Sequence, residues 1–179
     1  MNKNKKISII TAHYQDIEGI IRTWKSIKEQ TFENWSWIIV DSFTENFEIL
    51  LPNEMITNNS IQIFQLKSSI YDAMNYGIMR TNTPFFHFLN CNSTYFSKDS
   101  LKIVDSILNY EKPHPNFIHT FEMMILYKNS SFIQSPLKFK YPYDSGHEST
   151  IFPSINKDKI LLRSNKGLIA DMLFMVEYN

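Results

Sequence analysis

The stretch 7–41, I-S-I-I-T-A-H-Y-Q-D-I-E-G-I-I-R-T-W-K-S-I-K-E-Q-T-F-E-N-W-S-W-I-I-V-D, decides the fold. Residues 6–11 are few and rich in β-branched side chains, which suits a strand. Over 16–30, Ile17, Ile20, Ile21, Trp24 and Ile27 recur at helical spacing, with Asp16 placed to cap the first turn. Residues 35–40 read as a second strand, ending at Asp41. Outward from this unit the alternation continues. A weaker helix near 46–51 stops at Pro52, and 61–66 is a third strand. Residues 70–80 are helical, with Ile70, Ala73, Met74 and Ile78 on one face. Residues 84–89 form a fourth strand, apolar almost throughout, as a strand covered on both faces must be. Ser97 then caps a helix carrying Leu101, Val104, Ile107 and Leu108.

Such alternation predicts a mainly parallel sheet with right-handed crossovers. Ligands of these sheets sit beyond the carboxyl ends of the strands. Segments 11–14, 41–42, 67–69 and 90–93 are therefore expected to line one crevice. The second half is less regular. One strand is expected over 116–127, one or two more over 131–140, a loop broken by Pro136, Pro142 and Gly146 that reaches His147, and a closing helix over 170–178.

Composition narrows the function classes. The chain has 179 residues, 43% hydrophobic and 20% charged, which suits one globular domain. Lys+Arg and Asp+Glu both number 18, so no broad positive field gathers nucleic acid, and no nucleic-acid partner is expected. The single cysteine, Cys91, excludes an intrachain disulfide and suits a reducing compartment. The four glycines are not spaced as a phosphate-cradling loop. The apolar run after the basic start is too short for a secretory signal, and no stretch is long enough to span a bilayer. The expected location is the cytoplasm, free or peripheral on the inner face of the membrane.

The opening, with Thr11, Tyr14, Ser26, Ile27, Gln30, Thr31, Val40 and Asp41 in order, resembles the family 2 glycosyltransferases of GT-A fold. The block S-I-Y-D-A-M-N-Y-G-I at 69–78 resembles the family's Ile-Tyr-Asp-Ala-Met-Asn-Lys-Gly-Ile. F-F-H-F-L-N-C-N-S stands where the family has an apolar strand running into Leu-Asn-x-Asp-Asp. G-H-E-S-T-I-F resembles its His-Gln stretch, and A-D-M-L-F its Ala-Asp-Tyr-Asp stretch. The resemblance implies an α/β GT-A domain over 1–179, with 1–96 the nucleotide-binding half and 97–179 a short acceptor-side half. It implies inverting transfer of a sugar from a nucleotide-sugar donor, UDP-linked by expectation, to a glycan or lipid-linked acceptor in surface polysaccharide or glycolipid synthesis. Thr11, His13, Tyr14, Asp41, Asp72, Asn75, Asn90 and Asn92 would then face the donor. His147 and Glu148 would lie on the acceptor side, and Asp171 would be the general base, with Glu148 the alternative.

The chemistry asks for a carboxylate to take the acceptor proton and for positive charge at the leaving diphosphate. A divalent Mn or Mg ion held by carboxylates is the usual source of that charge. Here the sequence departs from the family, because Asn90-Cys91-Asn92-Ser93 carries no acid. Asn92 is only a weak metal candidate. Three readings stay open: cations (Lys67, Arg163, Lys166) replace the metal, a metal binds weakly through phosphates and Asn92, or catalysis is impaired. In the last case the domain binds a nucleotide sugar or a partner without turnover. Each residue also has a plainer role to weigh: Asp41 and Asp72 as caps, Asn90 and Asn92 as turn formers, Asp171 as a helix-start residue, Cys91 as packing.

Overall fold

The computed structural model describes residues 5–110, 119–120, 123–127, 130–134, 147–157 and 162. The strands are β1 (Ile7–His13), β2 (Trp35–Asp41), β3 (Ile61–Gln65), β4 (Phe85–Phe88), β5 (His119–Thr120), β6 (Met123–Tyr127), β7 (Ser130–Gln134) and β8 (Thr150–Pro153). The helices are α1 (Ile17–Lys28), α2 (Phe47–Leu50), α3 (Asn53–Ile56), α4 (Ile70–Arg80) and α5 (Ser100–Tyr110). One sheet runs in the order β3-β2-β1-β4-β8-β5, and β6 and β7 pair by themselves. Strands β1 to β4 are mutually parallel, whereas β8 runs antiparallel to β4 and to β5. The chain therefore steps outward from β1 to β3 and then returns to β1's other side for β4. Strand order reverses between β1 and β4, the kind of switch point at which α/β sheets bind ligands.

Alternating side chains of one strand supply both faces of the sheet. Ile7 and Ile9 pack with Ile20, Trp24 and Ile27 of α1, while Ile10 packs with Met74 and Ile78 of α4. Each such fully buried side chain contributes about 1.5–3 kcal/mol. Trp24 stacks on Trp37 at 5.9 Å and meets Trp35 edge-on at 6.2 Å. At Gly77 a Cβ would lie 2.4 Å from Ile10 Cγ2, so only glycine lets α4 sit this close to β1.

The four strand–helix units expected in the first half are present, and β1 continues to His13, past its expected end. Elsewhere the expectations need correction. The helix near 46–51 is short, and a second one follows Pro52. The last helix of the first half begins at Ser100, and Ser97 Oγ accepts from the Asp99 N–H at 3.1 Å instead of capping it directly. The single strand expected over 116–127 is β5 and β6, which join different sheets. β8 was not expected: it is four residues long and ends in Pro153, too short for a periodic pattern to show. The closing helix over 170–178 lies outside the described residues.

Candidate functional site

Because β1 to β4 are parallel, their carboxyl ends emerge at one edge of the sheet. A cleft of about 610 Å³ opens there, lined by Ala12, His13, Tyr14, Ser42, Phe43, Lys67, Ser68 and Ile70. Three of the four segments expected in one crevice line it directly. The fourth, 90–93, follows β4 at the same edge, where the Leu89 N–H donates to the Ile10 carbonyl at 3.0 Å.

Asp41 organises the floor of the cleft. Its side chain is fully buried. Oδ1 accepts from His13 Nδ1–H at 2.7 Å and Thr44 Oγ1–H at 2.6 Å. Oδ2 accepts from the Thr44 N–H at 2.7 Å and Gln65 Nε2–H at 2.8 Å. Burial pushes the carboxyl pKa up, but the hydrogen bonds from Gln65, Thr44 and His13 outweigh it and hold the acid below its ordinary value. His13 Nε2 accepts from the Asp16 N–H at 3.2 Å, so the proton shared with Asp41 sits on Nδ1. The Gln15 N–H donates to Thr44 Oγ1 at 2.9 Å, which ties the loop after β1 to the loop after β2.

Those loops present their apolar side chains outward. Tyr14 is 61% exposed, Phe43 68% and Ile70 54%, all around the same cleft. Phe43 has φ 71°, a left-handed conformation costly for a bulky residue. Among the described residues, the other non-glycine residues with positive φ are Gln15, Asn46 and Asn92. All four lie in loops following β1, β2 or β4, and of them Phe43 lines the cleft. Lys67 is exposed at the cleft wall.

Other expected site residues are engaged within the protein. Thr11 is buried; its hydroxyl donates to the Leu89 carbonyl at 2.6 Å and accepts from Trp37 Nε1–H at 2.8 Å. Asp72 lies in the first turn of α4, where its Oδ2 accepts from Ser69 Oγ–H at 2.7 Å, half of a reciprocal cap. Asn75 clamps the backbone of Leu162 from both sides, with its Nδ2–H on the Leu162 carbonyl and its Oδ1 on the Leu162 N–H, each at 2.7 Å. It therefore anchors Leu162 against α4. Ring contacts place His147 edge-on to Phe88 at 5.5 Å. Asp171, Arg163 and Lys166 lie outside the described residues.

The Asn90–Ser93 turn is stitched to α1. The Asn92 N–H donates to Thr23 Oγ1, and Thr23 Oγ1–H donates to the Ser93 carbonyl, both at 3.0 Å. Asn92 Oδ1, the oxygen offered to a metal by sequence, accepts from the Arg22 guanidinium. Cys91 is a packed thiol: burial first, then the neighbouring Asp16, push its pKa up to about 12. Glu148 reaches this turn from the far half of the chain. Its Oε1 accepts from the Asn90 N–H at 3.0 Å and from Ser93 Oγ–H at 2.8 Å.

A divalent ion needs hard oxygen ligands. No cluster of three or more His, Cys, Asp or Glu side chains occurs among the described residues. The turn nonetheless gathers one carboxylate (Glu148) and the Ser93 hydroxyl. Magnesium-type ions are commonly held by one or two carboxylates plus substrate phosphates, so this set fits a metal brought with a diphosphate. Sequence reasoning missed Phe43, Arg22 and the place of Glu148. A lone aromatic in the polar turn D-S-F-T-E-N was the one available signal.

The sequence profile of Glycosyl transferase family 2 matches residues 8–167. No curated protein matches the sequence significantly. Among solved structures, S. aureus TarS is similar with a TM-score of 0.76 at 16% identity, covering 97% of this chain and 33% of that one. S. aureus TarS 1–349 in complex with UDP-GlcNAc gives 0.70 at 16% identity, covering 97% and 53%. The mannosyltransferase PcManGT from Pyrobaculum calidifontis, in complex with GDP-Man and Mn2+, gives 0.70 at 11% identity, covering 99% and 52%. The chain thus spans between a third and about half of the structures it matches. At these identities the likeness shows the fold, the mixed α/β GT-A architecture.

Proposed function

The chain belongs to glycosyl transferase family 2, and from that premise we propose that it binds a nucleotide-sugar donor and transfers the sugar, with inversion, to an acceptor hydroxyl of a glycan or lipid-linked chain. The observation that carries this reading is the cleft at the carboxyl ends of β1 to β3. Its chemistry suits a nucleoside. Tyr14 and Phe43 offer exposed rings to a base, a contact that contributes about 1–3 kcal/mol per base. Lys67 supplies positive charge at the wall. Asp41 acts through the structure it holds, since its carboxylate already accepts four hydrogen bonds. The diphosphate would extend toward the turn of Asn90, Asn92 and Ser93, where a bound divalent ion would offset the charge of the leaving group. In the single displacement the acceptor oxygen bonds to the anomeric carbon as the bond to the diphosphate breaks. The acceptor proton passes to the Asp171 carboxylate. Surface polysaccharide or glycolipid synthesis at the cytoplasmic side of a membrane is the setting that fits such a donor and acceptor.

A second reading is a domain that binds nucleotide sugars without turnover. The acid-free turn and the Arg22 guanidinium on Asn92 favour it. Calorimetry and thermal shift with UDP, GDP, UDP-GlcNAc and GDP-Man, with and without Mn2+, separate the cases. Binding with slow donor hydrolysis that disappears in Asp171→Asn supports transfer. Binding with no turnover across an acceptor panel supports the second reading. Absence of binding by every nucleotide overturns both.

A further inference from the structure

The geometry points to Glu148 as the carboxylate that anchors a divalent cation at the donor diphosphate, in place of the acids missing from the Asn90–Ser93 turn. The inference rests on the nucleotide-sugar reading above.

Topology brings the acid there. β8 pairs antiparallel with β4 in a register that sets Phe85 opposite Pro153 and Phe86 opposite Phe152. Continued past the strand ends, this register sets Glu148 opposite Asn90. The 3-10 turn His147–Ser149 holds it in that place. The contacts agree, with Oε1 at 3.0 Å from the Asn90 nitrogen and 2.8 Å from Ser93 Oγ. A residue far along the chain is thus fixed on the turn that its own sequence left without an acid.

A latch alone does not call for a charge here. Both contacts only require an oxygen that accepts, and a glutamine amide oxygen would serve equally. The carboxylate therefore adds a negative charge that the latch does not use. That charge is half-buried, and among the described residues no Lys, Arg or His forms an ion pair with it. An unpaired, partly desolvated carboxylate is unfavourable unless a cation joins it. Among the described residues Oε2 makes no hydrogen bond, so one carboxylate oxygen is left for that cation. The Ser93 hydroxyl stands beside it as a neutral oxygen of the hard class that Mn2+ and Mg2+ accept. The turn at 90–93 carries no acid of its own, and Glu148 brings one to the same place. Asn92 is left to Arg22 and to its turn.

Glu148→Gln is the decisive variant, because it keeps both hydrogen bonds and removes only the charge. Free Mn2+ is counted by electron paramagnetic resonance in the presence of saturating UDP or GDP, whichever binds. Nucleotide affinity without metal is measured alongside by calorimetry. The expected result is Mn2+ affinity at least tenfold weaker in Glu148→Gln, with metal-free nucleotide affinity and melting temperature no lower than the parent's. Mn2+ affinity within twofold of the parent would reduce Glu148 to a latch and overturn the inference while the donor reading stands. No saturable Mn2+ binding by the parent overturns it as well. Absence of nucleotide binding under all conditions sinks the donor reading, and this inference with it.

Discussion

A single backbone angle makes Phe43 informative. At φ 71° a bulky side chain costs about 1–2 kcal/mol. The ring does not recover this by burial, because it is 68% exposed. Phe43→Gly should therefore move two quantities in opposite directions. Release of strain exceeds the roughly 0.5–1 kcal/mol entropic cost of glycine, so the urea midpoint should rise slightly. Loss of the stacking ring should weaken nucleotide binding about tenfold. A variant that is more stable and binds equally well would remove Phe43 from the site. At this scale the sequence was legible in position more than in role. Asp41, His13 and Tyr14 all lie on or beneath the cleft where strand ends placed them. A sequence does not record which oxygens are already occupied, and so Asp41 as an internal hub and Asn75 as a clamp on Leu162 needed coordinates.

At the scale of elements, the periodic first half was readable because each strand and helix is long enough to repeat its pattern. α4 spans Ile70–Arg80, the range its apolar spacing gives. Short or split elements carry no such repeat, and β5 and β8 were accordingly missed or merged. Contact between elements is narrower still, and the approach of α4 to β1 depends on Gly77. Gly77→Ala puts a methyl group 2.4 Å from Ile10 Cγ2 and should cost about 1–3 kcal/mol by forcing helix and strand apart. In the pair Ile10→Leu with Gly77→Ala, which removes Cγ2 at nearly constant volume, part of the loss should return. Chemical denaturation of the two proteins measures this directly, and an unchanged midpoint in Gly77→Ala would show that the interface is looser than its geometry.

Across the whole molecule, pH dependence links the sheet to the turn it supports. His87 lies buried in β4; its Nδ1–H donates to the Phe88 carbonyl at 3.1 Å, and its Nε2 accepts from Tyr95 O–H at 2.6 Å. Burial pulls the imidazole down to about 4 from its ordinary 6.5, against the opposing pull of the Phe88 carbonyl, and burial raises the Tyr95 phenol well above its usual value. The folded histidine therefore stays neutral while the unfolded one takes a proton. Its contribution to stability is intact above pH 6.5 and is lost as pH falls from 6.5 toward 4, by about 3 kcal/mol in total. Asp41, held below its ordinary 3.8, remains ionised when the unfolded chain protonates, so a second loss begins beneath that pH and runs to its folded value. Urea midpoints measured from pH 7.5 to 3 should fall in two stages. His87→Gln, whose side chain does not titrate, should lower the curve at neutral pH yet flatten its first stage. A parent protein equally stable at pH 7 and 4.5 would contradict the buried neutral histidine. Because the Tyr95 O–H donates to His87 beside the turn that Glu148 meets, and its N–H donates to Ser26 Oγ of α1 at 2.7 Å, protonation of the folded His87, near pH 4 and below, should also loosen the donor side of the cleft. Nucleotide affinity of the folded parent should then hold from pH 7 to about 5 and decline only as pH approaches 4, and less steeply in His87→Gln.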